Sequence, residues 1–560
     1  VDAIRHRDRE GYLACYRKSD RLAVSGPEGF RLGYSDFARQ ADQGWPDTYD
    51  PSDLEVVWIS DGVVYGTYRY RVRYGGREES GLSERLFLKA AEGWRIAVTT
   101  AFNSPAGTPP APQALVGGTL VDGTGASPVP DAVVVLRAGK IDCAGSRKTC
   151  ALPAGVAVTD ASGLWIVPGL VDAHVHFSQT GWADGRPDAV DVRETYPYEK
   201  VEADLEAHPE RFFSSDICAG VTAVFDVGGY PWTLRLPGRA ERDARAPHVS
   251  AAGPLLSTID HWLNLPAERQ FIVLKDSEAA RQGVAFLSAE GSSAVKVWYI
   301  VDKEHSVEAS AAAVGAAGEN ARKAGLPLIV HATGLAEAKE ALKAGARFLV
   351  HSVGDQPVDE EFLSLVKKNG AIYCPTLTVR AGYLRLRRGV LSHTAPAVDD
   401  PNHCVDPTTL ARIRATAQVT APVSEGQVAS LESRVAREDK VMAENLRKVR
   451  DAGLTIAMGT DAGNPLTLHG PSVYAEMEAM QKAGLTPMEV LVASTRGGSL
   501  AMGREKEFGT VEKGKAADLL IIAGDPTADI ANLRRLRFVV RGGSLRSVEE
   551  LAAAIAAPSP

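Results

Sequence analysis

The sequence predicts an α/β chain in which a (β/α)8 TIM barrel carries a small flanking β-sandwich built from both of its ends, with an α+β domain in front. Three observations carry this expectation. Eight short apolar runs alternate with helix-like stretches of Ala, Glu, Lys and Leu over roughly 330 residues, the arithmetic of a parallel barrel. Short β segments with Gly and Asp turns lie on both sides of that middle. The N-terminal part follows a third pattern, one helix and then longer alternating strands. A chain of 560 residues has room for three or four domains at about 150 residues each.

Taken in order, residues 1–103 hold a helix-like segment from Arg9 to Asp20 and strands in LEVVWISDG, VVYGTYRYRVRYGG, SERLFLKAAEG and WRIAVTTAF, which suit a curved antiparallel sheet. Asp8 precedes the helix as a favourable N-terminal charge. Pro, Gly, Ala and Ser crowd into residues 104–113, a linker composition. Residues 114–167 supply the first part of the sandwich and residues 508–548 the second, through FGTVEKGKAADLLIIAG and LRFVVRGG. Between them, residues 168–507 contain the runs LVDAHVHF, VTAVFDVGG, HVSAAGPLL, AVKVWYI, LPLIVHATG, FLVHSVG, AIYCPTL and TIAMGTDAG. Active sites of such barrels lie at the C-terminal ends of the strands, so the polar residues closing these runs should converge.

Composition excludes several classes. Apolar residues make 45% and charged residues 24%, which is neither a disordered nor a membrane composition, and no run of about 18 apolar residues exists to span a bilayer. Lys plus Arg number 62 against 70 Asp plus Glu, a net charge of −8, without a basic stretch interleaved with aromatics, so nucleic acid is not the expected partner. Six cysteines are too few for a disulfide framework. Cys143 and Cys150 flank a turn and either close a small loop or stay free; Cys218 and Cys374 read as core, with Cys374–Cys404 a second pairing to test. The start at Val1 is read as a mature periplasmic or secreted form, with the cytoplasm as the alternative.

The polar residues closing the runs are those a two-metal site needs. His174 and His176 stand two apart on the first strand, so their side chains share a face and can grip one cation. Lys296 follows in the fourth run, His331 in the fifth, His351 in the sixth and Asp461 in the eighth. A single strand histidine is usually a packing residue; six such groups at matching strand ends point to chemistry.

The motifs GLVDAHVHF, VKVWYI, VHATG, LVHSVG, MGTDAG and GTVEKGKAADLLII resemble the amidohydrolase superfamily, in its binuclear, prolidase-like branch with relatives of imidazolonepropionase, over residues 114 to about 545. The resemblance implies that His174, His176 and Asp461 hold one divalent ion and His331 and His351 the other, with a carbamylated Lys296 between them. A free ammonium has no lone pair, whereas the carbamate formed with carbon dioxide offers two anionic oxygens. The alternative is a buried Lys296 ion-paired with Asp461. Zinc suits the donor set, with manganese or cobalt as other occupants. A metal-bridging hydroxide would attack the amide carbonyl, and Asp461 would carry its proton to the leaving amine.

The substrate expected on this resemblance is a small amide or peptide, a dipeptide or an N-acyl amino acid; a cyclic amide or lactone is the alternative. A non-catalytic small-molecule-binding protein is the reading from another class. Candidate substrate contacts are Trp182 (with Tyr196 and Tyr198 in the loop after the first run), Tyr230 in DVGGYPW, His261, and Arg380 in TVRAGYLRLRRG. His261 stands where relatives carry Gly-Gly-His, but Ile259 and Asp260 precede it here. Arg380, Arg385, Arg387 and Arg388 either bind a carboxylate or form one solvated helix face. The insertion 378–454 reads as a long loop and a lid candidate. Residues 1–103 resemble the nuclear-transport-factor-2-like (SnoaL-like) cone fold, which implies a dimerisation or pocket-covering element and a homo-oligomer.

Overall fold

A computed structural model describes residues 2–26, 29–41, 45–74, 77–91, 93–103, 112–259 and 270–556. His261 and linker residues 104–111 lie outside the described residues. The chain divides into two compact units, Val1–Pro109 and Pro110–Pro560.

In the first unit, the helices Asp2–Arg5, Arg9–Ala14 and Tyr34–Gln40 accompany one six-stranded sheet. Its order is Gly29–Leu32, Ala23–Gly26, Gly93–Asn103, Arg77–Ala90, Val63–Tyr74 and Thr48–Ser60. All neighbours are antiparallel except Ala23–Gly26 with Gly93–Asn103. Asp8 caps the second helix, accepting the Gly11 amide at 3.0 Å. That helix ends at Ala14 rather than running to Asp20, because Tyr16 turns out to bridge Ile96 and to fill a small core with Leu13, Leu22 and Phe37.

The second unit opens and closes on a β-sandwich. One sheet pairs Lys140–Ser146, Ala132–Arg137, Gln113–Val116 and Ala157–Asp160; the other runs Ser544–Ser547, Leu536–Arg541, Leu519–Ile522, Trp165–Pro168 and Thr119–Leu120. Trp165–Pro168 lies antiparallel to Leu519–Ile522, so backbone hydrogen bonds join the two flanks of the middle region. Leu115, Val134, Ile166 and Ile521 share the core between the sheets. Cys143 and Cys150 are disulfide-bonded.

Between these flanks the strands are parallel and alternate with helices in a TIM-barrel-like arrangement. Leu170–Val175, Val221–Asp226 and His248–Ala251 form one sheet; Phe271–Val273, Leu255–Ser257, Val295–Trp298, Leu328–His331, Phe348–Val350 and Ile372–Cys374 form the next. Every residue of Leu170–Val175 and Val221–Asp226 is buried, as a sheet covered on both faces requires. The third predicted run splits in two: Gly253, at φ 66, turns the chain so that Leu255–Ser257 joins the second sheet beside Phe271–Val273, a strand the run pattern did not foresee. In the eighth run the Ala457 amide donates to Tyr373 O at 3.0 Å on one side, while on the other Ala173 N donates to Met458 O at 3.0 Å.

The insertion 378–454 is not a long loop. It folds into the helices Val379–Ser392, Pro407–Ala415 and Glu425–Asp451. Cys404 pairs with Cys218 at a Cα–Cα distance of 5.4 Å, and not with Cys374. Cys374 stays a free buried thiol because it ends the strand Ile372–Cys374, packed with Phe348 and Ala457 in the inner core.

Candidate metal centre

The six polar residues that close the apolar runs gather at one end of these strands. His174 Nε2 lies 3.2 Å and His176 Nε2 3.1 Å from Asp461 Oδ1, with 3.3 Å between the two nitrogens. The His351 ring stands 4.9 Å from that of His174 and 4.4 Å from that of His331. Lys296, His176, His331, His351 and Asp461 all line one cavity of about 200 Å³, while His174 is fully buried behind it. His351 and Asp461 hold left-handed backbone at φ 74 and 65, and Thr376 beside them at φ 43. For residues with a Cβ each costs about 1–2 kcal/mol, strain of the kind that gathers at working sites.

The electrostatics of the cluster ask for a cation. His176 Nδ1–H donates to the Gly228 carbonyl at 2.6 Å, which leaves Nε2 as a lone pair facing the Asp461 carboxylate. Burial first, and the Lys296 charge second, hold His174 and His331 well below the usual histidine range; burial and the His331 ring do the same to His351. These rings are neutral and can act as ligands. His174 Nδ1 and Asp461 Oδ1 are buried without a hydrogen-bond partner. Acceptors set against acceptors repel unless a positive ion lies between them, and the separations fit ligand atoms about 2.0–2.1 Å from a common centre. The residues present therefore fit a divalent metal.

Residues 165–545, more than half of the chain, match the amidohydrolase family. The chain belongs to that family. Solved structures agree on the fold: a Xaa-Pro dipeptidase superposes with a TM-score of 0.59 at 21% identity, covering 78% of this chain and all (100%) of that one. The Aspergillus niger ochratoxinase structure gives 0.59 at 22%, covering 78% and 95%. In sequence, the 5-methylthioadenosine/S-adenosylhomocysteine deaminase of Symbiobacterium thermophilum is 24% identical over 421 residues, covering 72% of this chain and 84% of the relative. At such identities the likeness speaks for the fold.

In this amidohydrolase, buried acids that the sequence pattern passed over hold the clustered histidines and Asp461 in place. Asp172 accepts from Thr460 N at 2.9 Å, Thr460 Oγ1 at 2.6 Å and His174 N at 3.2 Å, tying the strand of the paired histidines to the backbone before Asp461. Burial pushes its carboxyl up to about 7. Asp226, pushed up to about 6 by burial, accepts from Gly228 N and Phe177 N at 3.0 Å and so fixes the carbonyl that orients His176. Thr376 Oγ1 meets His351 Nδ1 at 2.7 Å. The signal was available: an acid inside an apolar strand run, as in LVDAH and VFDVG, must find donors locally.

The predicted substrate contacts divide. Arg380 lines the cavity, ion-paired with Glu438. Arg385 and Arg387 instead donate to backbone carbonyls of Ala397 and Ala189, and Arg388 pairs with Glu432. Trp182 is turned away from the cavity: it is fully buried and donates through Nε1 to Thr416 Oγ1 at 2.9 Å, in a cluster with Leu386 and Ile413. Tyr230 packs in the barrel core with its hydroxyl 3.4 Å from that of Tyr198. Residues the sequence did not single out complete the wall. Trp298, stacked on Phe271 at 5.0 Å, and Leu255 form its apolar side. Gln179, Arg186, Tyr383 and Asn464 form its polar side, with the Tyr383 hydroxyl donating to Asn464 Oδ1 at 2.6 Å.

Proposed function

We propose that this chain is a binuclear metal-dependent hydrolase that cleaves the C–N bond of a small amide at the mouth of a closed (β/α)8 barrel. The observation that carries the reading is the set of lone-pair atoms on His174, His176 and Asp461 facing one another in a cavity that also receives Lys296, His331 and His351. His174, His176 and Asp461 would hold one ion, His331 and His351 the second, and the carbamate of Lys296 would join them. Burial pushes Lys296 down to about 8, toward the neutral amine that adds carbon dioxide with release of a proton. Zinc, favoured by this nitrogen and oxygen donor set, supplies Lewis acidity and a water of lowered pKa when bound.

The protein's own groups do the rest. Gly228 O and Thr376 Oγ1 fix the rings of His176 and His351. An Asp461 carboxylate oxygen takes a proton from the attacking water as its oxygen bonds to the carbonyl carbon, and returns that proton to the nitrogen as the C–N bond breaks. Trp298, Phe271 and Leu255 exclude water from one side of the amide, while Gln179 and Arg380 present polar atoms to the other. Dipeptides and N-acyl amino acids are the first substrates to test, in keeping with the Xaa-Pro dipeptidase and ochratoxinase among the similar structures. A cavity of about 200 Å³ also favours a cyclic amide or lactone. Two disulfides support a place in an oxidising compartment.

The test is elemental analysis of protein made with zinc and bicarbonate, followed by a hydrolysis screen of dipeptides, N-acyl amino acids and lactones. Two ions per chain and turnover of one class are expected, with Lys296→Ala reducing the content to one. A metal-free chain without turnover would overturn the reading in favour of a binding protein.

A further inference from the structure

The sheet of the first unit ends in Thr48–Ser60, whose outer edge pairs with no other strand among the described residues. The two halves of that strand differ. The first carries devices that keep an edge from pairing: Pro51, which lacks an N–H, Asp53 at φ 52, and a bulge between Ser52 and Glu55. The second has no proline and no left-handed residue, and its one register shift, between Trp58 and Ser60, comes at its end; Leu54, Val56, Val57, Trp58 and Ile59 are 71%, 50%, 57%, 67% and 61% exposed on both faces of the sheet, with Glu55 the one charge among them. High β propensity, low charge and free backbone donors and acceptors make such a segment a template for another strand.

We propose that this edge pairs with the same edge of a second copy of the chain, antiparallel, about a two-fold axis through Val56. Charge and the regularity of the strand select the occupant and the register. A two-fold axis normal to the sheet preserves each face, so one residue of the strand must lie opposite itself and its neighbours pair symmetrically about it. Centring on Glu55 sets Glu55 against its own copy, and centring on Leu54 sets Asp53 against Glu55. Centring on Val57 or Trp58 brings Asp61 against Asp53 or Glu55. Centring on Val56 places Val56 on Val56, Leu54 on Trp58 and Glu55 on Val57, with no acid opposite an acid. Like charges directly opposite destabilise a pair of strands, whereas aromatic–aliphatic and aliphatic pairs stabilise it. Centring on Ile59 also sets no acid against an acid, but it puts the shift between Trp58 and Ser60 on the axis, so Val56 is the register that keeps the regular part of the segment complementary to itself.

Cross-linking reads that register directly. In the full chain, with the exposed thiol of Cys15 removed by Cys15→Ser, Val56→Cys should oxidise to a disulfide-linked dimer, because facing Cα atoms in an antiparallel pair lie about 4.5–5.5 Å apart. Val57→Cys, which faces Glu55, should cross-link far more slowly. Val56→Lys sets two ammonium groups face to face and should raise the dimer dissociation constant at least about 100-fold in sedimentation velocity, with metal content unchanged. A wild-type chain that sediments as a monomer at about 50 μM would overturn the proposal, as it would if the other unit of the same chain covered the strand. Equal cross-linking of the two cysteine variants would overturn it too.

Discussion

Two clusters of histidine and acid, each around a buried imidazole, lie at opposite ends of the barrel-like strands, and they are built in opposite ways. Where the strand His248–Ala251 begins, His248 Nε2 meets Asp518 Oδ2 at 3.0 Å and its Nδ1 meets Glu241 Oε1 at 2.8 Å. Arg541 stands 3.5 Å from Asp518, Arg504 donates to Glu241 at 3.0 Å, and Phe508 stacks on the imidazole with ring centroids 4.9 Å apart. Every acid there meets a base, across the joint between barrel and sandwich. At the other end, His174, His176 and Asp461 turn acceptors toward acceptors. The same residue types serve as mortar in one place and as a socket in the other; whether the charges close among themselves tells which.

The sharpest way to break this comparison is Asp461→Asn. It should leave the fold intact and lower kcat by about 10³-fold or more, since the amide side chain cannot accept the proton; steady-state kinetics beside thermal unfolding decide it, and near-normal turnover would sink the role. His248→Ala should do the reverse. Removing one partner of a buried charged network costs about 3–5 kcal/mol of stability, read from urea unfolding, while turnover per folded molecule is kept. Thr376→Val, which removes the hydroxyl at His351 Nδ1, should reduce metal affinity about 10-fold with little effect on unfolding.

The smallest expected effect is a pH dependence. Burial lowers His248, but hydrogen bonds to Asp518 and Glu241 outweigh it and raise the imidazole above its ordinary value. Its contribution is therefore complete below about pH 6.5 and is lost as pH rises through the native value. Burial raises Asp518 and Glu241, yet Arg541 for the first and His248 for the second bring both down to about 2. Their contribution is complete above about pH 4.5 and fades as pH falls toward 2. The stability difference between wild type and His248→Ala should thus be widest between about pH 4.5 and 6.5. A difference that grows above pH 7 would mean that His248 is neutral in the native state.

Much of the centre was legible in the sequence because a strand has a period of two and a defined end. His174 and His176 share a face for that reason, and His331, His351 and Asp461 close apolar runs that could only be parallel strands. The lining of the cavity was legible at Arg380 but not at Trp182 or Tyr230, since side-chain direction is set by partners far away in the chain. Trp182 is drawn from the cavity by Thr416, 234 residues on, and Cys404 finds Cys218 across 186 residues. The insertion could have been read better: Ser424 and Gln427 form a capping box that opens a helix of 27 residues. Gly253 gave no warning that the third run would be divided between two sheets.

The Cys218–Cys404 bond also orders events during synthesis. At about 5–20 residues per second, Cys404 follows Cys218 out of the ribosome after roughly 10–40 s, whereas Cys150 trails Cys143 by only seven residues. In an oxidising compartment the short loop can lock almost as soon as it is made, while the Cys218 thiol must wait until most of the central strands have been translated. The long bond then records completion. A nascent chain in which Cys218 is still reduced is one whose helical insertion has not yet arrived, and thiol trapping during translation would date the assembly of the site's outer wall.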